Sequence, residues 1–225
     1  MSGARPITHA ESDALMGAMG CERDRLLVLA GQHLGLRISE LLSLRVKAVA
    51  TGFTPKAEVS VPRKRLKGGR SGRSGLHGRS IPVHPDLAVA IERYLANYPG
   101  GSPGPDSFLF PSRKGYNRPI SHRHAWRVMK EAAASAGINA DRVSTHSLRK
   151  SFARDIYEAS GHDIRATQAL LGHTEVETTV KYIEPDQARL KDLVLGLPSK
   201  GAPVSLFGHK LIPARAPVAP LRLTP

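Results

Sequence analysis

A chain of 225 residues and 24.3 kDa, 40% of it hydrophobic, has the material for one sizeable core, which excludes a chain disordered throughout. No apolar run approaches the roughly 18 residues of a membrane span. The N-terminal MSGARPITHAESD lacks the apolar stretch of a secretory signal, and the lone Cys21 excludes an internal disulfide and a cysteine-built zinc site. Lys and Arg number 33 against 19 Asp and Glu, a net charge of +14, so the expected partner is a polyanion, and for a cytoplasmic chain nucleic acid.

In chain order, residues 8–19 carry apolar positions at helical spacing behind a Thr or Ser cap. Residues 22–34 predict a second helix, with Cys21 beside it as a small, partly buried residue. Gly35 breaks that helix, and 36–44 predicts a third whose Leu41, Leu42 and Leu44 face the core. Arg37 and Glu40 are three apart and share another face of it, where the acid can hold the guanidinium. A lone pair of this kind is more often a surface ion pair.

Residues 56–83 change character. AEVSVP and RSIPV alternate as short strands on either side of the glycine-rich, basic LKGGRSGRSGLHG, which predicts a hairpin with a long tip. From Arg63 to Arg79 there are seven Lys or Arg residues and no acid, namely Arg63, Lys64, Arg65, Lys67, Arg70, Arg73 and Arg79. Binding of a phosphate backbone there should weaken steeply with salt as counterions are released. The tip is not a nucleotide-binding loop, because no Gly-Lys-Ser/Thr follows at the required spacing.

A helix over 85–98 opens on Pro-Asp and closes on Pro-Gly; a turn at 99–106, the segment FLFP and a basic turn lead to another over 121–136. The third block is helical again. Thr145 caps a helix to Ser160, and Asp163 caps one that Gly172 ends. A short helical or extended piece carries 178–183, and Pro185 opens a last helix to Leu195. From Pro198 onward six prolines fall in 28 residues with no acid, which reads as a flexible tail. The expected organisation is one α+β, mainly helical domain over 1–197 with a small antiparallel sheet, then a Pro-rich basic tail over 198–225.

Five polar residues stand in order within short phrases: Arg37 in GLRISELLSL, His146 and Arg149 in THSLRKSFA, His173 in LLGHTEVETTV, and Tyr182 nine positions further on. Guanidinium forks bind phosphate oxygens, imidazoles handle protons, and a phenol is a nucleophile that needs no metal, so the set suits attack on a phosphodiester. His146 and Arg149, three apart, share a helical face. A continuous helix over 173–182 would place His173 and Tyr182 on opposite faces, so the chain must turn after Gly172 for both to meet one phosphate. Tyr157 returns to the face of His146 but lies about 16 Å along the axis, with Phe152 and Ile156 marking core. Tyr94 and Tyr98 read as packing residues.

Together GLRISELLSL, THSLRKSFA and LLGHTEVETTVKYI resemble the tyrosine recombinase, or phage integrase, family, whose phrases run GLRxSELxxL, HxLRHxFA and LLGHxxxxTTxxY. The resemblance spans about residues 8–195 and implies that family's catalytic-domain fold. It implies that Tyr182 attacks the scissile phosphate and is joined to the DNA 3′ end. Arg37 and Arg149 would clamp the non-bridging oxygens, His146 would assist deprotonation and His173 would hydrogen-bond the phosphate. Glu40 would buttress Arg37. Lys67, with Lys64 as competitor, would protonate the departing 5′ oxygen. The hairpin residues Arg63, Lys64, Arg65, Arg70, Arg73 and Arg79 would contact DNA.

No cofactor and no metal are implied, since bond energy is conserved in the phosphotyrosine. The implied partners are double-stranded DNA, further copies of the chain in a tetramer, and an accessory DNA-binding protein, in the cytoplasm at the nucleoid and with no membrane. Two departures stand out. Lys150 replaces the family's second histidine, and the chain begins almost at the first catalytic-domain helix, without the family's N-terminal DNA clamp. A non-catalytic DNA-binding regulator and a type IB topoisomerase are the competing functions.

Overall fold

The computed structural model of the chain describes residues 4–61, 79–115, 117–173, 175–180, 182, 191 and 195–196. The chain divides into two units, Met1–Glu184 and Pro185–Pro225, and every element named below lies in the first. The hairpin tip, the 198–225 tail and, save for Lys191 and Leu195, the expected helix from Pro185 lie outside the described residues.

The elements run α1 (His9–Ala18), α2 (Glu22–Leu34), α3 (Ile38–Leu42), α4 (Val46–Val49), β1 (Ala50–Thr51), β2 (Thr54–Pro55), β3 (Glu58–Val61), β4 (Arg79–Pro82), α5 (Pro85–Ala96), α6 (His122–Ser135), α7 (Thr145–Ala159), α8 (Ile164–Leu171) and α9 (Val176–Val180). The fold is mainly helical with two small antiparallel sheets, β1–β2 and β3–β4. The β3–β4 hairpin is the expected one, in register Val59↔Ile81 and Val61↔Arg79. The β1–β2 hairpin was not expected. It turns at Gly52, whose φ of 62° suits glycine.

Local signals placed most helix ends well. Thr8 caps α1 in a reciprocal box with Glu11, Asp163 accepts the Arg165 and Ala166 N–H groups, and Gly35 and Gly172 end α2 and α8 in the left-handed region. Three expectations need correction. The predicted helix over 36–44 is only the five residues of α3: Arg37 is its extended N-cap, and the Glu40 carboxylate accepts the Arg37 N–H at 3.0 Å. The cap of α7 is Ser144 rather than Thr145, with Ser147 accepting the Ser144 N–H in return. Cys21 is exposed at the N-cap of α2 rather than partly buried.

Helix α2 is the spine. Leu26, Leu27, Ala30 and Leu34 enter a core shared with α3, α4, both sheets and α5, whereas Val28 joins α1, α6 and α7. The expected core residues Leu41, Leu42 and Leu44 are buried in the first of these. Among the described residues no helix is long and apolar enough to cross a membrane.

The closest approach is between α2 and α7, and glycine makes it possible. A Cβ on Gly31 would lie 2.6 Å from the Leu148 Cδ1 atom, and one on Gly35 would strike the Phe152 ring. Leu148 and Phe152 are one turn apart, so the two glycines let α7 lie directly on α2 and carry Arg149 with it. Gly35→Ala is expected to lose about 2–4 kcal/mol of stability, from left-handed strain plus overpacking. A urea unfolding curve with an unchanged midpoint would contradict this account of the crossing.

Candidate active site

The site forms where the ends of α2, α7 and α8 meet strand β4, and Glu40 is its only carboxylate in the network described below. Its carboxylate is about 1% exposed and pairs with two arginines: Oε1 with Arg37 at 3.0 Å and Oε2 with Arg79 at 3.3 Å. Arg37 remains the more open of the two, its side chain 28% exposed. The Arg37–Glu40 pair is therefore no surface ion pair, because its acid lies in the core.

Arg79 was expected on the DNA-facing surface of the hairpin, and that position needs correcting. Strand alternation puts residue 79 on the face of Ile81, the buried face, with Ser80 outward. Its side chain is 8% exposed, one terminal nitrogen reaches Glu40 and the other donates to the Leu171 carbonyl.

Arg149 projects from the first half of α7 and is almost wholly buried, at 1% exposure. Nη1 donates to the Gly35 carbonyl, which the left-handed turn after α2 has freed, and Nη2 donates to the Leu171 carbonyl at 2.8 Å. Nη2 also lies 2.6 Å from His173 Nε2. An arginine can only donate, so this ring nitrogen is the acceptor and carries no proton. The proton sits on Nδ1, which lies 2.9 Å from the Thr179 hydroxyl.

The turn required between His173 and Tyr182 is present. Gly172 ends α8 with φ 63°, α9 starts afresh at Val176, and the Tyr182 N–H donates to the Thr179 carbonyl at 2.9 Å. The Tyr182 ring thereby stands 5.4 Å from the His173 ring and 5.8 Å from the Arg149 guanidinium carbon. Arg37, Glu40, Arg79, Arg149, His173 and Tyr182 thus form one connected set.

His146 is one helical turn before Arg149 on α7, exposed, and its imidazole has no hydrogen bond among the described residues. Lys67, Lys64, Arg63, Arg65, Arg70 and Arg73 lie outside the described residues. Of the competing tyrosines, Tyr116 lies outside the described residues and the other three are accounted for by packing. Tyr94 is buried edge-on to Tyr98, whose hydroxyl donates to the Phe108 carbonyl, and Tyr157 sets its edge against His162. Thr179 was missed in the sequence, although it is the second threonine of the family phrase LLGHxxxxTTxxY and stands six residues after a site histidine. Elsewhere, His33, His84 and Asp86 approach within 4.8 Å, but the two rings stack at 17°, so their lone pairs run side by side rather than converging on an ion.

Electrostatics define what the site can receive. Arg37 and Arg79 pair with the single carboxylate and Arg149 stands near it without touching it, an excess of two positive charges that an anion would neutralise. Burial, with Arg37 and Arg79 nearby, lowers the Arg149 pKa to about 10, still charged at neutral pH. Burial and then the Arg149, Arg37 and Arg79 charges push the His173 pKa down to about 3.

A histidine with a depressed pKa takes up its proton in the unfolded chain before the folded one. His173 therefore contributes stability that is present above about pH 6.5 and lost as the pH falls from there toward about 3. The His173→Gln variant should show a shallower loss of stability over that window than the wild type, measured by urea unfolding at stepped pH. Parallel curves would refute it.

Comparison with known proteins agrees with this geometry. Residues 5–189 match the model of the phage integrase family. Tyrosine recombinase XerA of Pyrococcus furiosus is 35% identical over 175 residues, covering 76% of this chain and 54% of the relative. Tyrosine recombinase XerC of Erythrobacter litoralis is 37% identical over 161 residues, covering 71% of this chain and 45% of the relative. The chain thus spans about half the length of the curated relatives it matches. Among solved structures, a XerA recombinase superposes with a TM-score of 0.67 at 22% identity, covering 87% of this chain and 65% of that one. The Tn1549 transposon integrase in complex with transposon right end DNA gives 0.64 at 21%, covering 88% and 67%. With the family model spanning the site from before Arg37 to beyond Tyr182, the chain belongs to the phage integrase family.

Proposed function

We propose that the chain is a site-specific DNA recombinase that cuts and rejoins strands through a 3′-phosphotyrosyl intermediate. The observation that carries this reading is the placement of the Tyr182 ring beside Arg149 and His173, in a site where Arg37 and Arg79 pair with the single carboxylate of Glu40. Arg37, partly open, and Arg149 hold the non-bridging oxygens of the scissile phosphate, where negative charge grows in the transition state. The Tyr182 oxygen bonds to phosphorus while the bond from phosphorus to the 5′ oxygen breaks. His146, at the exposed edge, takes the phenolic proton, and Lys67 supplies one to the departing 5′ oxygen. Reversal by a 5′ hydroxyl from a partner strand restores the backbone, so neither ATP nor a metal enters the balance.

His173 is a neutral ring set by Thr179, and it holds Arg149 in the free protein. When a phosphate draws the Arg149 nitrogen toward itself, the freed Nε2 serves the same anion as an N–H donor, the ring proton moving to Nε2 while Nδ1 accepts from the Thr179 hydroxyl. The partners under this reading are double-stranded DNA, other copies of the chain in a tetramer, and an accessory DNA-binding protein. Residues 1–197 act as the catalytic domain, and the protein works at the nucleoid.

The test is a nicked suicide duplex carrying the chain's own site, resolved on a denaturing gel. A protein-linked DNA band at the 3′ end supports the reading; DNA binding with no such band would leave a non-catalytic regulator. Relaxation of plasmids lacking any site would point to a topoisomerase instead.

A further inference from the structure

We infer that Arg79 is a positioning residue: from strand β4 it fixes the Glu40 carboxylate and the Leu171 carbonyl, the two groups against which Arg37 and Arg149 are set. The inference deepens the reading of Arg37 and Arg149 as a phosphate clamp and rests on it. Both acceptors are shared. Glu40 Oε2 accepts from Arg79 at 3.3 Å and from the Arg37 N–H at 3.0 Å, while Oε1 takes the Arg37 guanidinium. The Leu171 carbonyl accepts from Arg79 and, at 2.8 Å, from Arg149 Nη2. One side chain thus links the two arms of the clamp, which are otherwise carried by α3 and α7, elements far apart in the chain.

The surroundings are shaped to this guanidinium. A Cβ on Gly172 would strike the Arg79 terminal nitrogen, so the end of α8 needs glycine for the space as well as for its φ of +63°. Pairing of Arg79 with Val61 across the hairpin fixes the base of the side chain. The planar fork then reaches two acceptors on different elements at once, which an ammonium on a flexible stem does not reproduce. At 8% exposure the side chain has both terminal nitrogens on protein acceptors, the Glu40 carboxylate and the Leu171 carbonyl. Its charge also stands close enough to lower the pKa of both Arg149 and His173. Three like charges around one carboxylate are costly in the free protein, an arrangement that serves an anion arriving rather than the resting fold.

The experiment compares wild type, Arg79→Met and Arg79→Lys. Single-turnover adduct formation is followed at saturating suicide duplex, DNA affinity on the uncut duplex, and the His173 titration by NMR in the free protein. Arg79→Met is expected to slow adduct formation by about 30- to 100-fold, as for a displaced oxyanion donor, with affinity within about threefold. His173 should titrate at least about half a pH unit higher in that variant, since a neighbouring positive charge is gone. Arg79→Lys should keep the titration near wild type, because the charge stays, yet lose most of the rate, because the fork is gone.

A rate within threefold of wild type in both variants would overturn the inference. So would a loss confined to DNA affinity, which would make Arg79 a DNA contact, or an unmoved His173 titration in Arg79→Met. The titration needs no DNA, so it decides the matter even if the wild type forms no adduct and the recombinase reading itself fails. If Arg79→Met does not fold, the rate and titration of Arg79→Lys carry the decision.

Discussion

Tyr182→Phe is expected to abolish the protein–DNA adduct outright while leaving affinity for the uncut duplex within about twofold, because a covalent step loses its nucleophile and binding loses one exposed-side hydroxyl. The substitution removes one oxygen and nothing else. The ring keeps its place 5.4 Å from His173 and 5.8 Å from the Arg149 guanidinium carbon, so packing in the third small core around Phe152, Ala153 and Leu171 is retained. Among the described residues the Tyr182 hydroxyl has no hydrogen bond, so its removal strands no partner. A matched Tyr157→Phe variant should form adduct normally, since that ring is spent on an edge contact with His162 at 4.9 Å. Full adduct in Tyr182→Phe would move the nucleophile elsewhere and end the mechanism proposed above.

The second large effect is at Arg149. Arg149→Lys should reduce single-turnover cleavage by about 10²- to 10³-fold, or about 3–4 kcal/mol of transition-state stabilisation, the scale of a lost oxyanion donor. The guanidinium engages the Gly35 and Leu171 carbonyls and His173 at once while buried beside the Tyr182 ring. A lysine ammonium cannot span these partners and still turn a fork toward a phosphate. The loss should appear in the chemical step, because Arg37 and the basic residues of the hairpin sequence still attract the DNA backbone. Near-wild-type cleavage by Arg149→Lys would show that no fork is needed at this position, and the clamp would then rest on Arg37 alone.

Much of this was legible in the chain. Helices α1, α2, α5, α6 and α8 announce themselves by caps and by apolar spacing, and the β3–β4 strands by alternation, since each signal is local and acts within one or two turns. Helical geometry alone requires the chain to turn after Gly172 for His173 and Tyr182 to meet, and the structure has that turn. Helix α3 was legible but read too long, and α4 and the β1–β2 hairpin were not legible, because elements of two to five residues carry too little periodicity to compete with what tertiary contacts impose. Arg79 was misplaced for a different reason. Its charge grouped it with the basic tip, although the alternation through Ser80 and Ile81 already marked its face as inward.

Sequence alone singled out the candidate set, Arg37, His146, Arg149, His173 and Tyr182, because residue type and order along the chain carry the chemistry and the family phrases. It also settled the mainly helical class, since the apolar periods are intrinsic to each segment. Tertiary structure alone decided that Glu40 is a buried hub, that Arg79 faces into the site, and that Thr179 and the Gly35 and Leu171 carbonyls hold His173 and Arg149. Those roles arise where segments separated by tens of residues come together. Which carbonyl lies free at a helix end, and which charge lies dry beside it, is fixed by packing across elements rather than by any local pattern.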